Sequence, residues 1–193
     1  MNTFDPATHR YTIDARPVPS VTQMLQVVLP GSIWQAGEWY LDRGQAVHAC
    51  AAMIARGAVF RHDPAIDGQV RACRKFFREI KPDVIAIEQQ VYSAAYMYAG
   101  TFDLMATIDK RVVLVDWKSA LSPVAEIQLG GYVLACHAPR PRFGMVVALG
   151  EDGNYKTGGI VKLERRCNEF MAVRSVYGIM ERLGLNKEEA DGI

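Results

Sequence analysis

In LVDWKSA, residues Leu114 to Ala120, an apolar run ends by setting Asp116 and Lys118 two positions apart with Trp117 between them. Side chains along a strand repeat with period two, so the carboxylate and the ammonium share one face and the indole takes the other. A second acid, Asp103, lies upstream in GTFDLMATI, and the polar pair Asp109 and Lys110 separates that run from RVVLVDWK. If the chain turns at this pair, Ile108 faces Arg111 and Asp103 faces Asp116. Opposed residues stand about 5 Å apart at Cβ, where like charges destabilise a sheet unless something positive lies between them. Lys118 offsets part of that charge, and a hard divalent cation, which takes oxygen ligands, completes the balance. Asp-Lys is a weaker turn signal than Asn-Gly, and a slip of one residue would send the two acids to opposite faces. Two acids, a lysine and a divalent metal suit phosphodiester hydrolysis. The metal lowers the pKa of a bound water and offsets charge on the phosphate, while the lysine orients the water or stabilises the transition state. The competing reading is a plain ion pair at a strand end, which is weakly stabilising and leaves Asp103 unexplained.

These residues need elements to hold them. PVPSVTQMLQVVLP reads as an extended entry into a short helix capped by Ser20 and closed by Pro30 and Gly31. A helical pattern from Ile33 to Arg56, with an interruption expected at Gly44, ends at Gly57. A third helix spans about Ala65 to Ile80 and stops before Pro82. The reading therefore has three helices before any strand. VIAIEQQVYS, GTFDLMATI and RVVLVDWK then form a β-meander, and SPVAEIQLGGYVLACHA forms a helix with Ser122 as cap and Pro123 at its first position. FGMVVALG and YKTGGIVKL make a hairpin across EDGN, and a last helix carries Val173, Val176, Tyr177 and Met180 at core spacing. The expected class is α/β, with a mixed central β-sheet (an antiparallel meander plus further strands) flanked by helices. One domain over residues 1–193 is expected, since the chain is short for two.

The span from Gly100 to Tyr132 closely resembles the RecB-type, lambda-exonuclease-like branch of the PD-(D/E)XK nucleases. Gly100 and Asp103 match its GxxD, Asp116 and Lys118 its DxK, and Gln128 and Tyr132 its QxxxY. Upstream, Glu88 matches the acid of the preceding strand, and His48 in RGQAVHA matches the helix histidine. The motifs follow in order over nearly half of the chain. The resemblance implies a restriction-endonuclease-like core and a deoxyribonuclease dependent on magnesium or manganese, most of all an exonuclease acting at DNA ends in phage-type recombination or repair. It also implies roles: His48, Asp103, Asp116 and the main-chain carbonyl of Trp117 as metal ligands, Lys118 acting on the attacking water, and Glu88 supporting a second or outer metal contact. Gln128 and Tyr132, four apart on one helix face, would position the DNA strand or the lysine. A flap or branched-DNA endonuclease and a DNA-binding protein with an unused site are the alternatives. An annealing recombinase or single-strand-binding protein is the companion that this family context suggests.

Several of these residues have ordinary explanations too. A histidine on an apolar helix commonly serves the core, and Glu88 by itself could be an outward strand residue. Arg71, Arg74, Lys75 and Arg78 form a basic stripe on the third helix. That stripe is either a solvated face opposite Val70, Cys73, Phe77 and Ile80, or a set of phosphate contacts along a DNA groove. Arg43 is a further candidate phosphate contact, and Trp34, Trp39 and Tyr40 are candidates for stacking bases or for the core. With 22 lysines and arginines against 21 acids, any nucleic-acid surface has to be local. The four cysteines are scattered without a CxxC pair, which argues against a disulfide framework and a structural zinc site. Relatives that hold an iron–sulfur cluster use three cysteines after the core. Only Cys136 and Cys167 follow it here, so no cluster is expected. There is no run of about 18 apolar residues, and the expected setting is the cytoplasm of a bacterial or phage-infected cell. No stretch announces an oligomer interface, and NKEEADGI reads as a polar tail.

Overall fold

The computed structural model describes residues 1–6, 8–29, 38–137 and 140–185, with the side chains of residues 38–42 outside that description. Its centre is a mixed sheet built from β4 (Asp83–Ser93), β5 (Tyr98–Ile108), β6 (Arg111–Lys118), β7 (Phe143–Leu149) and β8 (Tyr155–Thr157), with β9 (Val161–Lys162) also on β7. The strands from β4 to β6 run antiparallel, β6 and β7 run parallel, and β8 and β9 return antiparallel to β7. The parallel pair needs a crossover, which is supplied by α4 (Pro123–Ala135).

Helices cover both faces. On one, α1 (Val21–Val28), α4 and α5 (Glu164–Arg182) pack Met24, Leu25, Leu129 and Phe170 against Phe102, Met105, Leu114 and Val146. On the other, α2 (Glu38–Ala55) and α3 (Asp67–Ile80) pack Ala51, Cys73 and Phe76 against Leu104, Ala106, Val113, Val115 and Trp117. The odd positions of β6 face α3 and Leu114 faces the other way, as period two requires.

The β5–β6 hairpin has the expected register, from Ile108↔Arg111 to Leu104↔Val115. Asp109 and Lys110 both take left-handed backbone angles, φ 48° and 61°. Two such residues match a type I′ turn, whose twist suits the strands, so the pair turns the chain without a glycine. Ser20 caps α1 in a reciprocal capping box with Gln23, and Ser122 Oγ accepts from the Val124 amide at 3.2 Å to start α4. Close packing of α4 on α5 requires Gly130, because a Cβ there would lie 2.4 Å from the backbone of Arg166.

The chain does not begin with helices. A three-stranded antiparallel sheet, β1 (Asn2–Asp5), β2 (Arg10–Ile13) and β3 (Arg16–Val18), precedes α1 and packs on β5 through Tyr11, Ile13, Val18 and Ala99. Asp14 and Ala15, at φ 48° and 64°, turn it without the glycine that would have marked the turn in the sequence. Gly44 does not interrupt α2, which runs through it, and a short 3₁₀ turn at Pro64–Ile66 precedes α3. On α3, Phe76 is the fully buried aromatic, whereas Phe77 and Ile80 are half-buried. YKTGGIVKL divides into β8 and β9 around Gly159, and Val176 on α5 is exposed. Pro30, Gly31, Ile33, Trp34 and the tail 186–193 lie outside the described residues. Among the described residues, no helix is long and apolar enough to cross a membrane.

Candidate metal centre

The β5–β6 ladder ends at Leu104↔Val115, one pair short of the two aspartates. Beyond that point Asp103 itself takes the place of a backbone acceptor: its Oδ2 accepts from the Trp117 amide at 2.8 Å. On its other flank, the β4–β5 register passes from Ile87↔Leu104 to Gln89↔Phe102, which brings Glu88 level with Asp103. Glu88 holds φ 49°, a left-handed conformation in mid-strand that is uncommon for a residue with a Cβ. Both strands change face there. Leu104 and Ile87 pack under α2 and α3, yet Phe102 and Val91 belong to the opposite core. Beyond the register shift at Val84 and Ala86, a second irregularity thus falls at Glu88 and Asp103, and strain of this kind gathers at functional sites.

From α2, His48 Nδ1 meets Asp103 Oδ1 at 3.0 Å. His48, Glu88 and Asp103 form the group among the described residues whose ligand atoms all lie within 4.8 Å of one another. One imidazole nitrogen and two carboxylates at that spacing suit a divalent cation such as manganese or magnesium. Glu88 is inside this group, and Asp116, also expected as a ligand, is adjacent to it. Asp116 is 2 % exposed and has Lys118 Nζ 2.8 Å from its Oδ2, at angles that leave that oxygen without a hydrogen-bond donor. A buried oxygen in that state is one that a metal or bound water would satisfy. Trp117 contributes its amide to Asp103, and its ring packs behind the sheet edge-on to Phe76 at 5.1 Å.

The electrostatics follow from burial and close charges. Burial pulls His48 down, but the charge and hydrogen bond of Asp103 outweigh it and raise the imidazole to about 8. Burial, with Asp103 second, pushes Glu88 up to about 7. Asp103 is also subject to the upward pull of burial, yet His48, Lys118 and the Trp117 amide hold it below its ordinary value. For Asp116 burial wins over the Lys118 ammonium, and with Asp103 adding to the rise the carboxyl stands at about 6. Burial lowers Lys118, and the two aspartates more than restore it.

Behind the acids, Gln128 Nε2 donates to the Tyr132 hydroxyl at 2.8 Å and to Thr22 Oγ1 at 3.0 Å. Both Gln128 and Tyr132 are buried, so in this conformation they face α1 and β5 and present no surface to solvent. Tyr132 also explains Gly100: a Cβ at that position would lie 2.6 Å from Tyr132 Cε1. Thr22 escaped the sequence reading because nothing local ties the second residue of a capped helix to a glutamine 106 positions on.

The basic residues lie elsewhere. Arg71 pairs with Asp67 at 3.0 Å, the Arg74 guanidinium sits 5.3 Å from the Phe60 ring centre, and Lys75 donates to Asn154 at 2.7 Å. Arg43 meets Glu151 at 2.7 Å. Arg71, Arg74 and Arg78 are exposed on the outer side of α3, whose inner side packs on Trp117. Trp39 and Tyr40 begin α2, with side chains outside the described set.

No family model and no curated protein matches the chain. Among solved structures it is similar to a crystal structure of LHK-Exo in complex with dAMP, at 10% identity and a TM-score of 0.40, over 86% of this chain and 93% of that one. It is likewise similar to a crystal structure of an alkaline exonuclease (LHK-Exo) from Laribacter hongkongensis, at 10% identity and a TM-score of 0.42, over 86% and 92% of the two chains.

Proposed function

We propose that this chain is a metal-dependent deoxyribonuclease of the RecB-type, lambda-exonuclease-like kind, cutting phosphodiester bonds at DNA ends in phage-type recombination or repair. The observation that carries the reading is the convergence of Glu88, Asp103, Asp116, His48 and Lys118 where β5 and β6 stop pairing and the β4–β5 ladder passes over Glu88 and Asp103. His48, Glu88 and Asp103 would hold magnesium or manganese, with Asp116 beside them. The bound ion would supply an activated water and offset charge on the phosphate. Lys118, held by Asp116, orients that water or stabilises the developing negative charge. Trp117 and Tyr132 pack the two aspartate-bearing strands from opposite sides. An annealing recombinase or single-strand-binding protein would be the companion, in the cytoplasm of a bacterial or phage-infected cell.

The test is incubation of the protein and its Lys118→Ala variant with end-labelled linear and closed circular DNA, with manganese and with a chelator. The expected result is metal-dependent loss of linear DNA alone, abolished in the variant. Cut circles would make the enzyme an endonuclease on the same core. No cleavage across metals and substrates would leave a DNA-binding protein.

A further inference from the structure

The metal group lies where two coverings of β4 and β5 meet. Toward Ile108 the sheet is covered by α2 and α3, and toward Tyr98 by the β1–β3 sheet. On the second stretch the pairs Gln90↔Thr101 and Tyr92↔Ala99 are two residues apart, so their side chains share a face. That face leads from Glu88 and Asp103 to Tyr92. Tyr11 is fixed on it by a hydrogen bond between its hydroxyl and Thr101 Oγ1 at 2.8 Å. Around Tyr11, Phe4 stacks at 4.6 Å, His9 stands edge-on at 5.7 Å and Tyr92 edge-on at 6.1 Å. Tyr11 is buried and structural, but Phe4 and Tyr92 keep part of their rings open and His9, Gln89 and Gln90 are exposed.

We propose that this strip, from Gln90 along Tyr92 to Phe4 and His9, is a stacking platform for unpaired bases of the DNA strand engaged at the acid cluster. The proposal rests on the nuclease reading above and adds a preference for single-stranded ends. The four residue steps from Glu88 to Tyr92 span about 13 Å at roughly 3.3 Å each, the rise of about four stacked nucleotides. Ring faces accept any base, and the exposed glutamine amides offer hydrogen bonds to base edges or sugar without demanding one sequence. Gln90, Tyr92, Phe4 and His9 include no lysine or arginine to hold phosphates, so the bases rather than the backbone turn toward this strip. Continuity with the acids through the strand register is what assigns the occupant.

The test uses Lys118→Ala as parent, in manganese, with a fluorescein-labelled 12-nucleotide oligothymidine and a blunt duplex of equal length followed by anisotropy. His9→Asn removes an exposed ring while tolerating the left-handed backbone at φ 52°, and Tyr92→Leu keeps apolar bulk. The expected result is about tenfold weaker oligothymidine binding in each variant, with duplex binding changed less than about twofold and melting temperature held by His9→Asn. Unchanged oligothymidine affinity in His9→Asn and Tyr92→Leu overturns the platform, as does a parent that binds duplex but not oligothymidine. Because binding is read without cleavage, a wild-type chain that cuts no DNA refutes the nuclease reading separately.

Discussion

The two ends of the β5–β6 hairpin obey different rules. At the turn, Ile108 pairs with Arg111, the ladder is complete, and Asp109 and Lys110 are surface residues shaped by backbone twist alone. At the other end the ladder stops after Leu104↔Val115, the Trp117 amide donates to the Asp103 carboxylate in place of a backbone carbonyl, and the side chains there meet one another, His48 with Asp103 and Lys118 with Asp116. Regular pairing fixes where the strands lie, and its interruption leaves carboxylates buried, close and incompletely satisfied. That state costs stability in an isolated fold and favours a bound cation.

The contrast is broken most severely at the open end. Lys118→Ala or Asp116→Asn is expected to lower metal-dependent cleavage of linear DNA by at least about 100-fold while circular dichroism stays native. A variant that retains cleavage would remove the pair from the chemistry. Trp117 anchors the same segment from behind, so Trp117→Ala should cost about 3–5 kcal/mol in denaturant unfolding. Gly100→Ala drives a methyl into Tyr132 and should cost about 1–3 kcal/mol, measurable as a lower melting temperature.

The pH dependence of metal-free protein sharpens the comparison. An acid raised to about 7, as Glu88 is, binds its proton more tightly when folded, so stability falls as pH rises from the ordinary glutamate range toward 7. His48, raised to about 8, contributes stability that is full below its ordinary value of 6.5 and is lost as pH climbs through 8. Both act in the same sense, so melting temperature should decline between about pH 5 and 8, and manganese should restore more of it at pH 8 than at pH 5. Glu88→Gln should flatten the lower part of that decline. The smallest effect belongs to the closed end: Asp109→Asn with Lys110→Gly suits the left-handed turn and should add about 0.5–1 kcal/mol without altering cleavage.

Much of this was legible in the chain because it depends on local signals. The hairpin register follows from one polar pair between two apolar runs, the caps at Ser20 and Ser122 from their residue types, and the shared face of Asp116 and Lys118 from strand period. What was hidden depends on backbone angles and on distant partners. The N-terminal sheet turns at Asp14 and Ala15, neither of which is glycine, so the stretch holding Tyr11 and Ile13 carried no strand signal. Glu88 was found by its type and order, but its left-handed conformation and its place in one close group with His48 and Asp103 could not be read from alternation that breaks at that residue. The buried contact between Gln128 and Thr22 joins two helices that share no sequence signal.

The most direct measurement is manganese binding followed by the electron paramagnetic resonance signal of the free ion, in the wild-type chain and in Glu88→Gln and Asp103→Asn. The account expects one tightly bound ion per chain in the wild type and at least about tenfold weaker binding in each variant, with folds intact. A wild-type chain that binds no ion, or variants that bind it as tightly as the wild type, would contradict the assignment of the open end of the hairpin as a metal centre.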